Sequence, residues 1–277
     1  MASRVGELSG QIAVVTGAGS GIGRSTALLL GRLGAKVHVT DVDGERAEAV
    51  AAEITSAGGS AEAHRLDVTD AGAVDELAGR IFEADSGVDI LHNNAGIGHT
   101  GYVEDTTLDD WRRVIEVNLM GTIHGVHSFV PRMLRQGRPA HIVNTASMAG
   151  LIASAELAPY TASKFAVVGL SEALNAELAP KGIRVTALCP GIIDTDIVRA
   201  ATYGGEMADR AERVQRFYRE RGASPEVVAE AVVRAVRRGR LIQPVPYSHV
   251  MPAWILKRVS PRASQVVSRW APRLARR

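Results

Sequence analysis

Tyr160 and Lys164 stand four residues apart in the segment YTASK, a spacing that puts both side chains on one face of a helix. That pair can move a proton. A tyrosine phenol ordinarily ionises at about pH 10 and is a poor base at neutral pH. An ammonium beside it stabilises the phenolate and lowers that value. Ser147, thirteen residues before Tyr160, carries a hydroxyl able to hold a substrate oxygen and steady the charge that develops on it. A phenol tuned in this way can take the proton of an alcohol as hydride leaves, or return it in the reverse direction.

A second group of residues suits an anion. TGAGSGIG, Thr16 to Gly23, directly follows the apolar run IAVVT. Gly17, Gly21 and Gly23 let the backbone turn sharply and approach a pyrophosphate, with Ser20 and Ile22 among them. The helix expected to follow points its free N–H groups and positive dipole end at the same place. The spacing differs from the usual G-x-G-x-x-G. Asp41 lies eighteen residues after Gly23, close to where an acidic residue hydrogen-bonds the adenosine ribose of a dinucleotide. A carboxylate there repels the additional 2′-phosphate of NADP. Neither Ser20 nor the neighbours Val42 and Asp43 supply a compensating cation, and Arg24 is the one nearby basic residue that favours NADP. NAD is therefore the expected cofactor. The alternative readings are an ordinary turn for the glycine loop and a helix N-cap or turn residue for Asp41.

These residues need a scaffold. Val- and Ile-rich runs at Ile12–Thr16, Lys36–Asp41, Ser60–Val68, Val88–Asn94, His141–Ala146 and Ile183–Cys189 predict strands. They lack clean alternation, as strands buried on both faces of a parallel sheet do. A short strand at Leu241–Val245 makes about seven. Segments such as GRSTALLLGRLG and GERAEAVAAEITSAGG lie between them, apolar at helical spacing and ending in glycine. Strand–helix alternation predicts an α/β fold, a doubly wound parallel sheet of Rossmann type with helices on both faces. Residues 1–245 read as one domain, with a polar flap at 194–222 over the binding face. Residues 246–277 read as a Pro-containing, basic extension, irregular or made of short helices.

The ordered set TGAGSGIG, NNAG at Asn93–Gly96, Ser147, YTASK at Tyr160–Lys164 and PG at Pro190–Gly191 resembles the short-chain dehydrogenase/reductase family over about residues 8–245. The resemblance implies that Lys164 also binds the nicotinamide ribose and that Asn118, in EVNLMG, completes a water-linked proton relay. It implies that Asp67 and Val68 flank the adenine, that Asn94, Ala95 and Gly96 lie under the adenine-side ribose, and that Ile193 and Thr195 hold the nicotinamide carboxamide. Tyr160 and Lys164 thus serve both catalysis and cofactor binding. The resemblance further implies a homotetramer or homodimer built on the helices containing Asn118 and Tyr160.

Composition bounds the rest. Of 277 residues, 46% are apolar, and the net charge of +2 argues against a nucleic-acid partner. Seven of the Lys and Arg residues lie between Gln243 and Arg277, with no Asp or Glu, so this stretch carries +7 and the remainder −5 (25 basic against 30 acidic). The basic tail, which includes Trp254 and Trp270, suggests either peripheral contact with anionic lipid or docking on a neighbouring subunit. A single cysteine, Cys189, reads as a core residue and implies a reducing, cytoplasmic location. MASRVGELSGQ has no apolar h-region, so no signal peptide is expected. The eight histidines show no zinc spacing, so no metal is expected. Ile97, Met148, Leu157, Ile192, Val198 and Tyr203 are the expected substrate-facing residues. Their mostly apolar character predicts a lipophilic secondary alcohol or ketone, such as a steroid, retinoid-like or fatty-chain compound. The competing readings are an NADP-dependent ketone or 3-oxoacyl thioester reductase and a non-catalytic NAD-binding regulator.

Overall fold

Valine and isoleucine are stiff at χ1 and pack well on a pleated surface, and the runs they dominate become strands. The computed structural model describes residues 8–266. In chain order the strands are β1 (Ile12–Thr16), β2 (Lys36–Asp41), β3 (Ser60–Arg65), β4 (Ile90–Asn93), β5 (His99–Thr100), β6 (Ala140–Thr145), β7 (Ile183–Pro190), β8 (Thr202–Tyr203) and β9 (Ile242–Val245). Seven of them form one parallel sheet in the order β3-β2-β1-β4-β6-β7-β9. The winding direction reverses between β1 and β4. A crevice therefore opens beyond the C-terminal ends of those two strands, where such sheets bind ligands.

Helices cover both faces. Helices α1 (Gly21–Arg32) and α2 (Gly44–Ser56) lie on one side. There Leu30, Val37, Val39, Ile54 and Val232 share a core. Helices α3 (Ala71–Ala84), α4 (Leu108–Ile115), α5 (Gly121–Arg135) and α6 (Ala158–Leu178) follow in sequence. On the opposite face Val14, Leu77, Ile81, Leu91, Phe129 and Ile142 make a second core. Local chemistry starts several helices where the sequence turns polar. Asp43 and Asp70 accept hydrogen bonds from the N–H groups of Arg46 and Ala73, and Thr107 and Asp110 form a reciprocal capping box.

Three segments differ from the sequence expectation. β3 stops at Arg65 rather than Val68, because the Asp67 carboxylate accepts from the N–H and hydroxyl of Thr69 and turns the chain. Asn118 lies not within a regular helix but in a π-helical turn, Glu116–Met120, inserted between α4 and α5. The segment after Pro246 forms a longer helix than expected, α10 (Tyr247–Val259), which follows α7 (Asp196–Arg199), α8 (Ala211–Arg221) and α9 (Pro225–Arg238). Pro252 sits in the second turn of α10 and removes only one early N–H donor there.

The described part of the basic extension docks on its own domain. Val250 is buried, Trp254 packs on the cluster of Ala146, Leu151, Val167 and Cys189, and Lys257 Nζ donates to Leu151 O at 2.7 Å. Trp270 and the arginines at 269, 273, 276 and 277 lie outside the described residues. Among the described residues no helix is long and apolar enough to cross a membrane. Cys189 is buried in the core, and burial pushes its thiol up to about 12.

Candidate active site

The glycine turn occupies the crevice end of β1. Gly17 has φ +61°, a conformation costly for any residue with a Cβ, and a Cβ there would also approach Ala95 Cα to 2.8 Å. A Cβ on Gly23 would fall 2.1 Å from Gly17 O. The turn is held from the neighbouring strand end. Asn94 Nδ2 donates to Thr16 O and Gly17 O, while Thr16 Oγ1 accepts from the N–H groups of Asn94 and Ala95. Such a turn leaves a cradle that side chains do not fill, at the start of α1, which fits the phosphates of a dinucleotide. Replacing Gly23 with alanine is expected to force the turn open. We expect at least about a tenfold loss of NAD affinity, since overpacking of this kind costs roughly 1–3 kcal/mol. Titration of intrinsic fluorescence checks it, with a denaturation curve to separate local from global damage.

Asp41 ends β2 beside this turn. Its Oδ2 accepts from Gly19 N at 2.8 Å and its Oδ1 from Asp43 N at 3.0 Å. Each carboxylate oxygen has a second lone pair, so the group remains able to accept from ribose hydroxyls. Asp41 therefore acts as the expected turn residue as well, although the cap of α2 is Asp43. Arg24 is engaged by Glu53 at 2.5 Å. Arg46, which sequence reading passed over, lies beside Gly19 and pairs with Asp43 at 3.1 Å. Arg65, in register with Asp41, donates to Val42 O. Only the folding of α2 and β3 against β2 brings these two cations close.

On the other half of the sheet the residues expected to transfer the proton come together at the ends of β6 and α6. Ser147 is buried, in extended backbone just after β6, and its Oγ accepts from Ala149 N at 3.1 Å. Tyr160 is half-buried, with the Ser147 hydroxyl near enough to favour its anion. Lys164 follows one turn later, 2% exposed, with Nζ 5.6 Å from the Tyr160 ring centroid. The ammonium donates to Thr145 O at 2.9 Å. Burial pulls the Lys164 ammonium down to about 8.

The lowering of the Tyr160 phenol expected from Lys164 is not what the chain alone provides. Burial pushes it up to about 12, against the opposing influence of the Ser147 hydroxyl. The ammonium is turned towards a carbonyl rather than the phenol oxygen, and charged forms are penalised in this dry corner.

Asn118 is fully buried behind this group. Its Oδ1 accepts from Ile97 N at 2.8 Å, and its Nδ2 donates to Ile97 O and Ser163 Oγ. A Cβ on Gly96 would lie 3.2 Å from Asn118 Oδ1 and 3.5 Å from Lys164 Nζ, so Gly96 packs between the two. π-turns recur at functional positions because they redirect one side chain out of the helical register. Here the redirected side chain fixes the loop after β4.

The remaining expected residues differ in burial. Val68 is buried and its carbonyl accepts from His124, whereas Asp67 is exposed and turns the chain. Thr195 is buried, with its side chain 3.4 Å from a Cβ placed on Gly21, so the flap meets the glycine turn. Ile193 is buried and bridges to Ala223. Ser20 precedes α1 in extended backbone and makes no side-chain cap; Ile22 is half-buried.

Ile97, Met148, Leu157, Ile192, Val198 and Tyr203 are all half-buried. The flap is clasped to the loop after β4 by parallel pairing of β5 with β8 and by buried His99, hydrogen-bonded to Thr202 and Thr106. Sequence reading missed this clasp, and it also missed Thr16, Thr145, Ser163 and Tyr218. Burial raises the Tyr218 phenol, which is close enough to Tyr160 to disfavour its anion. Glu156, just before Leu157, holds φ +67°, and its carbonyl accepts from Gly101 N.

Comparison with known proteins gives the family. A model of the short chain dehydrogenase family matches residues 11–204. The chain is 40% identical over 263 residues to a Mycobacterium tuberculosis protein named Probable oxidoreductase EphD, a match covering 92% of this chain and 44% of that protein. This chain thus spans less than half the length of that relative. It is 40% identical over 230 residues to cyclohexanol dehydrogenase of Acinetobacter sp. strain SE19, covering 82% and 87% of the two chains. Among solved structures, a short-chain dehydrogenase/reductase from Burkholderia phymatum in complex with NAD superposes with a TM-score of 0.87 at 33% identity, covering 93% of this chain and 96% of that one. A metagenomic short-chain oxidoreductase in complex with NADP gives 0.71 at 33% identity, covering 86% and 97%.

Proposed function

The chain belongs to the short-chain dehydrogenase/reductase family, and from that premise we propose that it moves hydride between NAD and a lipophilic secondary alcohol or its ketone. What carries this reading is that Ser147, Tyr160 and Lys164 gather at the ends of β6 and α6, with Lys164 Nζ 5.6 Å from the Tyr160 ring centroid and the Ser147 hydroxyl near enough to favour the Tyr160 anion. The two hydroxyls then hold one substrate oxygen between them. In oxidation the Tyr160 oxygen takes the alcohol proton while Ser147 donates to the same oxygen. A bound NAD supplies the hydride acceptor and, when oxidised, a positive charge that favours the phenolate. Lys164 holds the nicotinamide ribose and passes the proton outward, with Asn118 positioning the loop at Ile97 and completing the relay.

Gly17, Ser20, Gly21, Ile22 and Gly23 receive the pyrophosphate, and Asp41 the adenosine ribose. Asp67 and Val68 flank the adenine, Asn94, Ala95 and Gly96 back the ribose, and Ile193 and Thr195 hold the carboxamide. The engagement of Arg24 by Glu53 supports NAD over NADP. Half-buried apolar side chains along the flap, together with a relative named for cyclohexanol, support an alicyclic or other lipophilic alcohol. We further propose that α5 and α6 form the subunit contacts of a homodimer or homotetramer, and that the catalytic domain is residues 1–245.

The test is a panel of alcohols and polyols with NAD and NADP, followed at the reduced-nicotinamide absorbance. We expect kcat/KM at least about tenfold higher with NAD, and turnover of cyclohexanol-like and steroid-like alcohols above that of polyols. Turnover of short polyols alone sinks the substrate class, and a preference for NADP sinks the cofactor assignment. Tight NAD binding with no turnover on any alcohol or ketone favours a non-catalytic regulator.

A further inference from the structure

Three side chains away from the crevice converge at the β3 edge of the sheet. His38 points from β2, and Glu62 and His64 from β3, whose register pairs His38 with Glu62 and Thr40 with His64. Side chains two apart on a strand share a face, so the three meet on the side covered by α3. His38 Nδ1 lies 3.0 Å from His64 Nε2 and 4.0 Å from Glu62 Oε2, and the three donor atoms fall within 4.8 Å of one another.

The protonation pattern is fixed from outside. Asp85, just past α3, places Oδ2 at 2.8 Å from His38 Nε2. Lys36 Nζ pairs with the other Asp85 oxygen at 2.9 Å, so the group stands as a carboxylate beside an ammonium. An ionised carboxylate only accepts, so His38 carries its proton on Nε2 and turns the lone pair of Nδ1 towards His64 and Glu62. A carboxylate behind the distal nitrogen of a histidine is the common second partner of a metal-binding imidazole.

We propose that His38 Nδ1, His64 Nε2 and Glu62 Oε2 form a binding site for a divalent transition-metal ion of the zinc class. Two imidazoles and a carboxylate are a ligand set that zinc accepts, with water in a fourth position. Tetrahedral bonds of about 2.0–2.1 Å put neighbouring donor atoms roughly 3.3 Å apart. The observed 3.0 and 4.0 Å lie either side of that spacing, and Glu62, with its side chain half exposed, can close the longer gap.

The exposed carboxylate also gives the ion a way in. Lys36 stays on the other Glu62 oxygen at 2.7 Å. Lys36 and Arg80, the cations that face the two imidazoles, weaken the site without occupying its donor atoms. Without metal, His64 must place its proton on Nε2 to bridge to His38. With metal, that proton moves to Nδ1 of the same ring, and no net proton is released. The ion would pin the edge strand β3 to β2 and, through Asp85, to the end of α3.

The test uses the untagged full chain, titrated with zinc chloride against a chromophoric chelator and melted with and without zinc. One equivalent per chain and a zinc-dependent rise in Tm are expected. His64→Ala is expected to lose at least about tenfold in affinity and to abolish the rise, and Asp85→Asn to lose about 10–100-fold. Glu62→Gln, at an exposed side chain, guards against a folding defect. Cobalt substitution of the wild type is expected to give the visible bands of a four- or five-coordinate ion, absent in His64→Ala. Sub-stoichiometric binding with zinc in large excess overturns the proposal. So does a zinc response that survives unchanged in both His64→Ala and Glu62→Gln.

Discussion

Replacing Tyr160 by phenylalanine is expected to lower kcat for alcohol oxidation by about 10²–10⁴-fold, the usual contribution of a positioned acid or base. NAD affinity should stay near that of the unsubstituted chain. The substitution removes one hydroxyl and leaves the ring in its half-buried site, and Lys164 keeps its own anchor on Thr145 O. Loss of the Ser147 partner frees a hydroxyl that can still hold substrate, so KM should move less than kcat.

The pH profile of the unsubstituted chain gives a second readout. With the phenol pushed up to about 12 when the chain stands alone, the phenolate fraction grows as pH rises. Oxidation should therefore accelerate from neutral to alkaline pH, while reduction, which needs the protonated phenol, should slow only as pH nears that value. Steady-state rates across pH with a single good alcohol measure both. Retention of more than about a tenth of the activity by Tyr160→Phe would remove the phenol from the proton path.

Substituting Asp41 by asparagine is expected to narrow or invert the cofactor preference. The amide oxygen can still accept from Gly19 N, so the turn keeps its tie to β2. What is lost is the negative charge, and with it the charge-assisted hydrogen bonds to ribose hydroxyls and the repulsion of a 2′-phosphate. Each of these is worth roughly 1–3 kcal/mol. Affinity for NAD should fall, and affinity for NADP rise, by about 10–100-fold. Arg46 and Arg65 stand close enough for the phosphate to exploit once the carboxylate is neutral. Dissociation constants for both cofactors, measured by fluorescence or calorimetry, decide it. An unchanged NAD constant removes Asp41 from the ribose site.

Most strands of the main sheet were legible because they are local runs of Val, Ile and Leu bounded by turn residues, whereas β3, Ser60–Arg65, has none of these and the short β5 and β8 gave no such signal. The glycine turn and the Tyr160–Lys164 pair were legible because their chemistry depends on spacing along a single element. Asp41 could be located from its distance to Gly23, but not its bond to Gly19. That bond forms only when β1 and β2 pair in register.

The sequence by itself determined the parallel sheet, the glycine turn after β1 and the one-turn spacing of Tyr160 and Lys164, since hydrophobic periodicity and short-range spacing suffice for these. Tertiary structure decided the rest. Lys164 reaches Thr145 O across nineteen residues, and Asn118 locks the backbone of Ile97 across twenty-one. His99 clasps the flap through Thr202, 103 residues away. His38 meets His64 and Asp85 from twenty-six and forty-seven residues off. No zinc spacing along the chain announced that last cluster, because a parallel crossover separates neighbouring strands by a whole helix. Which side chains then face one another depends on strand order and register, and these are fixed by packing of the entire domain.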